Sequence, residues 1–275
     1  MDRFWQEVLE FCQTTTPRVG ARLLQEFGQG QAAEKADGSL VTQWDQWADG
    51  ALRDAIATAF PSHGLLSEEV AHIFPETDWC WIIDPIDGTT NFTRGIPLWA
   101  ISLGLLYRGT PVFGYVYLPS LGHAFHGYWY GDSGLSGPRG AYLNQHPIHT
   151  STDAPSQNHF FSLCARSTAV MKQPDFPCKI RMLGVASYNL LTVAAGYCLG
   201  AVEATPKIWD IAAVWAIIQA AGGHWLPLNA QSPFPLQVGQ NYSQRPYPTL
   251  VASQQQWLSL FYPRVAGIVG PQETE

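Results

Sequence analysis

The residues with the clearest capacity for chemistry are Asp84 and Asp87, three positions apart in the run Trp81-Ile82-Ile83-Asp84-Pro85-Ile86-Asp87-Gly88-Thr89-Thr90-Asn91-Phe92. The apolar residues 79–83 read as a buried strand, stopped at Asp84-Pro85 because the residue before a proline is held extended. Pro85 stiffens the turn, and Gly88 allows a backbone angle that other residues resist. Such a turn can aim the two carboxylates and the carbonyl of Ile86 at one point. A set of hard oxygen donors suits Mg²⁺ or Mn²⁺ rather than Zn²⁺. If Gly88, Thr89 and Thr90 open a short helix, their unpaired amides can hold a phosphate oxygen. The competing account is an Asp-Pro/Asp-Gly turn with no chemical role, since these dipeptides commonly mark turns.

Three other acidic places bear on that choice. Ser67-Glu68-Glu69 follows the apolar Gly64-Leu65-Leu66, although paired glutamates alone are usually a solvated face. Asp210, in Trp209-Asp210-Ile211-Ala212-Ala213, opens an apolar helix, where an acid is favoured simply as a cap or first-turn charge. Asp45 lies just after Leu40-Val41-Thr42, with Thr42 in the position of a helix cap.

These side chains need elements to carry them. Residues 2–27 have helical spacing and predict one or two helices, broken or kinked at Pro17. Residues 43–60 predict a helix ended by Pro61. Residues 99–107 and 112–118 predict a hairpin around Arg108-Gly109-Thr110-Pro111, with 123–130 as a third strand and 131–140 as a glycine-rich loop. Strands at 160–165, 179–183, 201–205 and 224–228 then alternate with helices at 186–198 and 210–221, the latter stopped by Gly222-Gly223. The tail, 231–275, ends in polar Gly270-Pro271-Gln272-Glu273-Thr274-Glu275 and reads as disordered. Strands mixed with long helices imply a layered α/β or α+β protein.

With 275 residues and nearly half of them apolar, the chain can bury a large core as one domain of two packed halves, about 1–150 and 151–275. The net charge is −7 and there is no basic run, which excludes nucleic acid as a partner. A phosphate ester stays possible, because bound cations reverse the local sign. The longest apolar stretch, 98–107, is too short for a bilayer, so no membrane partner is expected. Five cysteines without a CxxC pair read as reduced, mostly buried thiols, and the N-terminus lacks the apolar core of a signal peptide. The expected location is the cytoplasm. The eight histidines show no HExxH spacing, which argues against a zinc site. Trp5, Trp44, Trp47, Trp81, Trp99 and Trp215 are expected in the core.

The segments together resemble the inositol monophosphatase family, within the lithium-sensitive phosphatase superfamily that includes fructose-1,6-bisphosphatase. Asp84–Phe92 is similar to the family signature DPxDGTTNF, and residues 209–223, WDIAAVWAIIQAAGG, to WDxAAxxxxxxxAGG. Ser67-Glu68-Glu69 resembles its acidic element, and Gly140-Ala141-Tyr142-Leu143-Asn144 with Pro147-Ile148 its GAFLNGxPI turn. The resemblance covers about residues 1–230. It implies an α+β fold, a layered αβαβα sandwich, and a homodimer. It also implies Mg²⁺-dependent hydrolysis of a small phosphate monoester, inositol monophosphate above others, by in-line attack of a metal-activated water.

By the same resemblance, Glu68, Asp84 and the Ile86 carbonyl would hold one Mg²⁺, and Asp84, Asp87 and Asp210 a second. A third ion would sit near Glu68, and Mn²⁺ could substitute. Thr89 would orient the water with Glu68 or Asp45, and the amides of Gly88 and Thr89 would bind the phosphate. Gly184, Val185 and Ala186 would form the substrate loop, and Glu203 would bond a substrate hydroxyl. Val185 departs from the usual Ser or Thr, which weakens polar recognition there, and Tyr188 is bulkier than usual. The segment from Lys35 to Asp45 is one residue shorter than in some relatives. The alternatives are histidinol-phosphate, fructose-1,6-bisphosphate or a 3′-phosphonucleotide as substrate, and a non-catalytic regulatory protein on the same fold.

Overall fold

The structure, a computed structural model, describes residues 2–29, 32–34, 40–169, 175–229 and 232–268. Lys35 and the polar end from Gly270 lie outside the described residues. The helices are α1 (Asp2–Leu24), α2 (Gln43–Ala59), α3 (Thr89–Arg94), α4 (Ala186–Ala194), α5 (Ile208–Ala220) and α6 (Gln255–Val265). A small ribbon pairs β1 (Ala33–Glu34) with β2 (Leu40–Val41). A seven-stranded sheet runs in chain order through β3 (Gly64–Ser67), β4 (Trp79–Asp87), β5 (Ala100–Tyr107), β6 (Thr110–Leu118), β7 (His123–Tyr128), β8 (Gly140–Leu143) and β9 (His146–Ile148). The second sheet uses β10 (Phe160–Leu163), β11 (Lys179–Arg181), β12 (Gly200–Glu203), β13 (His224–Pro227) and β14 (Thr249–Ala252), in the order β11-β10-β12-β14-β13.

Side-chain alternation on the long strands sorts the molecule into layers. On β5, Ile101, Leu103 and Leu105 join a core with α1 and α2, while Ala100 and Leu106 join one with α4 and α5. This is the period-two rule for strands buried on both faces. The far face of the second sheet packs on α6 through Phe161, Leu250 and Phe261. The layers are therefore helix pair, sheet, helix pair, sheet, helix.

Helix α5 lies unusually close to the large sheet, and the sequence explains why. Gly104, Gly114 and Gly127 stand opposite one another across β5, β6 and β7. A Cβ at Gly114 would come 2.0 Å from the Ala213 carbonyl oxygen, one at Gly104 2.9 Å from the Ala213 nitrogen, and one at Gly127 2.9 Å from Ile217 Cα. The stripe is a groove without side chains, and α5 fills it with Ala212, Ala213 and Ile217. This seating fixes where the N-terminus of α5, and hence Asp210, sits.

Several expectations change. Helix α1 runs unbroken through Pro17, where the hydroxyls of Thr14 and Thr16 bond carbonyls of the preceding turn. Strand β4 continues past Asp84-Pro85 to Asp87. The segment read as a disordered tail supplies β14, flanked by β12 and β13, and then α6; its apolar residues Leu250, Val251, Leu258 and Phe261 are what the second sheet needs to cover itself. Trp47 is 39 % exposed rather than in the core, whereas Trp5, Trp81 and Trp99 are fully buried. Among the described residues no helix is long and apolar enough to cross a membrane.

The seating of α5 makes a two-sided prediction. Gly114→Ala forces helix and sheet apart and is expected to destabilise by at least about 2 kcal/mol, as overpacking does. Gly50, inside α2, has open space where a Cβ would go, and Gly50→Ala is expected to stabilise by about 0.5–1 kcal/mol. Denaturant unfolding of both variants reads the two signs.

Candidate active site

In a regular strand, residues three apart point to opposite faces. Strand β4 escapes this: Asp84 pairs with Ser102 and Asp87 with Ala100, so β4 carries one extra residue between those pairs. The bulge brings both carboxylates to one side. Gly88 then takes φ 91° and caps α3, whose first amides have no partner within the helix. Asp210 arrives from the first turn of α5. Oxygens of Asp84, Asp87 and Asp210 all lie within 4.8 Å of one another.

Backbone amides brace each carboxylate. Ile86 N–H donates to Asp84 Oδ1 at 3.1 Å. The start of α4 holds Asp87: Ala186 N–H donates to Oδ1 at 3.1 Å and Ser187 N–H to Oδ2 at 2.7 Å. Lys207 N–H donates to Asp210 Oδ2 at 2.5 Å. Burial nonetheless raises the pKa of all three, and the charges of Glu68, Asp87 and Asp210 add to the rise at Asp84. Three clustered like charges, Asp84 and Asp87 buried and Asp210 half-buried, with hard oxygen donors call for a cation in their midst. Glu68 reaches the same cavity from the end of β3, where its N–H continues the pairing to Ile83.

Thr89 lines this cavity and is held from behind. Its hydroxyl lies 3.0 Å from Asp45 Oδ1 and 3.1 Å from the Ile86 carbonyl. Asp45 is buried and does not itself line the cavity. Its other oxygen accepts from the Thr42 amide at 2.7 Å and the Thr42 hydroxyl at 2.6 Å. Thr42 in turn caps α2 by accepting from Trp44 N–H and Asp45 N–H, so the cap and the site share one hydrogen-bond chain. Burial raises the pKa of Asp45 against these bonds.

The remaining candidates do not line the cavity. Val185 is buried, and its methyl would lie 2.9 Å from a Cβ at Gly88. Gly184 sits against the Asn91 amide, and Ala186 is occupied with Asp87. Glu203 is only 4 % exposed and accepts from Asn189 Nδ2 at 2.6 Å. Burial, with the Asp87 charge contributing, pushes its pKa up to about 8. Sequence reasoning missed Lys207, Arg166 and Thr205, which line the same cavity as the carboxylates. Lys207 had a signal, three residues before Asp210 at the cap position. Arg166 sits in no motif.

Set beside known proteins, this geometry acquires a class. The fold is similar to an IMPase of Thermotoga maritima, with a TM-score of 0.77 at 27% identity over 98% of this chain and 96% of that one. In sequence it is similar to the inositol-1-monophosphatase of Synechocystis sp., 31% identical over 79% of this chain and 78% of that protein. It is also similar to the fructose-1,6-bisphosphatase/inositol-1-monophosphatase of Thermotoga maritima, 32% identical over 78% of this chain and 82% of that protein. The class is a phosphomonoester hydrolase on a layered α+β sandwich. More narrowly, the chain belongs to the inositol monophosphatase family, whose profile matches residues 5–259.

Glu203 makes the pH dependence of the metal-free protein testable. Its folded pKa, about 8, exceeds its ordinary value of 4.5, so the folded state holds the proton more tightly than the unfolded one. The stability this gives is complete below the ordinary value and is lost as pH rises through about 8. Asp84 and Asp210 shift in the same direction. In chelator, the melting temperature is expected to fall between pH 5 and pH 8, and Glu203→Gln to flatten part of that fall. A rise over this interval contradicts the assignment.

Proposed function

We propose that the chain hydrolyses the phosphate monoester of a polyhydroxylated carbon skeleton, inositol monophosphate among them, with Mg²⁺ as cofactor and Mn²⁺ as a substitute. The observation that carries this reading is the meeting of Asp84, Asp87 and Asp210 beside the open amides of α3 and the hydroxyl of Thr89. The donor set, carboxylates of Asp84, Asp87, Asp210 and Glu68 with the Ile86 carbonyl, fits a hard divalent cation. When bound, such ions neutralise phosphate charge and make a coordinated water more acidic.

The chain's own residues do the rest. The Gly88 and Thr89 amides orient the phosphate. With its hydroxyl donating to Asp45, Thr89 keeps lone pairs free to accept from the attacking water and fix its line of approach. Asp45 is the base toward which the water's proton moves by way of Thr89. No step needs a covalent enzyme intermediate. The reading extends to a cytoplasmic location, supported by five free thiols. It also extends to a homodimer, supported by Ile96 and Met182, 44% and 56% exposed, on segments that Asn91 ties together through the carbonyls of Leu98 and Leu183.

Released phosphate from a panel of inositol, histidinol, sugar and nucleotide monoesters tests the activity. Asp84→Asn is expected to lower kcat/KM by about 10³-fold or more. The same change should leave the metal-free protein at least as stable, because it removes one of several repelling charges. Thr89→Ala is expected to lower kcat by about 10²-fold while calorimetric titration still shows full Mn²⁺ binding. Lost metal binding in that variant contradicts the role given to Thr89. Light scattering should give twice the 30.4 kDa chain mass.

A further inference from the structure

A second hollow, of about 360 Å³, shares no residue with the cavity of the carboxylates. Helix α1 lines it with Gln13 and Pro17, and the β8–β9 turn with Asn144 and Gln145. The large sheet contributes two cross-strand pairs of β6 and β7, Tyr115 with His126 and Tyr117 with Ala124. The small side chain of Ala124 opposite Tyr117 leaves the room. The turn holds Asn144 and Gln145 at φ 48° and 68°, where a glycine sits more easily. Asn144 pins that turn to β7: its N–H donates to the Ala124 carbonyl at 2.9 Å, and its Oδ1 accepts from the Ala124 N–H at 2.8 Å.

His126 is only 4 % exposed. It stands between Tyr115 and Tyr142, its partners on the two flanking strands, with ring planes 20° and 12° from parallel. Those rings cover the faces of the imidazole and leave its edge. Among the described residues neither ring nitrogen has a hydrogen-bond partner, and neither is sealed from solvent. Buried polar groups are ordinarily bonded, so an imidazole edge left open onto a hollow calls for a ligand. Burial pushes the His126 pKa down to about 4, and the neutral ring offers one donor and one acceptor in a single plane. The side-chain amides of Gln13 and Gln145 have no partner among the described residues either, and each sets a donor beside an acceptor. No charged side chain lines the hollow, so an ion would find no countercharge there.

Planar donor–acceptor edges are matched by the same pattern on a flat ring. We propose that this hollow binds an uncharged nitrogen heterocycle, a free nucleobase or nucleoside, through the edge of His126 and the amides of Gln13 and Gln145. The inference does not depend on the phosphatase reading.

Calorimetric titration of the full chain with adenosine, guanosine, cytidine and uridine, against glucose and inositol, tests it. At least one nucleoside is expected to bind about tenfold or more tighter than either polyol. Ala124→Leu fills the hollow and should weaken that nucleoside about tenfold or more, with the circular dichroism spectrum unchanged. His126→Phe keeps a ring without nitrogens and should weaken it about tenfold. The ring-nitrogen NMR shifts of His126 in wild type should move on saturation with the nucleoside, and they decide the matter should either variant fail to fold. Binding of the polyols alone, no binding of any nucleoside, equal binding by folded Ala124→Leu, or His126 nitrogen shifts that stay in place each overturns the proposal.

Discussion

Three carboxylates held within 4.8 Å of one another in a buried setting repel, and the surrounding structure has to hold them against that repulsion. It does so with backbone. The Ile86 amide of the bulge, two amides at the start of α4 and the Lys207 amide before α5 each grip one carboxylate. Main-chain donors have little rotamer freedom to lose, so the oxygens stay aimed whether or not a cation is present. The pKa rises at Asp84 and Asp210 are what is left of a conflict that amides reduce and that a proton or a cation removes.

The grip comes from the large sheet and from the helix layer packed on it. Asp84 and Asp87 leave the large sheet on β4, Asp210 enters from the helix layer between the sheets, and the α4 amides come from the same layer. Position in this site therefore depends on layer spacing, and layer spacing depends on glycines that admit α5 to within backbone contact of β5, β6 and β7. Thr42 shows the same economy on a smaller scale: one residue caps α2 and steadies Asp45, which steadies Thr89.

What could be read from the sequence follows from range. The Asp84–Thr89 turn, the helix start at Asp210 and the cap at Thr42 are local, and each was legible as a strand end, an acid at a helix N-terminus or a Ser/Thr cap. The bulge in β4 was not, because it is defined by pairing with β5 and leaves no mark on β4 alone. Of the one or two helices read around Pro17 a single one forms, because tertiary packing of Trp5, Val8, Val19 and Leu23 outweighs one missing backbone bond. The tail was misjudged from its polar last residues, although Leu250–Ala252 alone has the apolar run of an interior strand. Glu203 carried the right residue type at the right spacing, yet its direction was settled by Asn189, a partner fourteen residues away on another element. Arg166 has no local pattern at all and acquires meaning only from the strand ends that bring it beside Thr205.

The glycine stripe also has a consequence for how the chain is made. The groove on β5, β6 and β7 leaves the ribosome well before the helix that fills it, with roughly 80 residues, or about 4–16 s of synthesis, in between. During that interval a flat, side-chain-poor face flanked by Leu106, Val116 and Phe125 stands open to any apolar segment that passes. The nascent chain thus has a window of vulnerability set by the order of elements along the chain rather than by final stability.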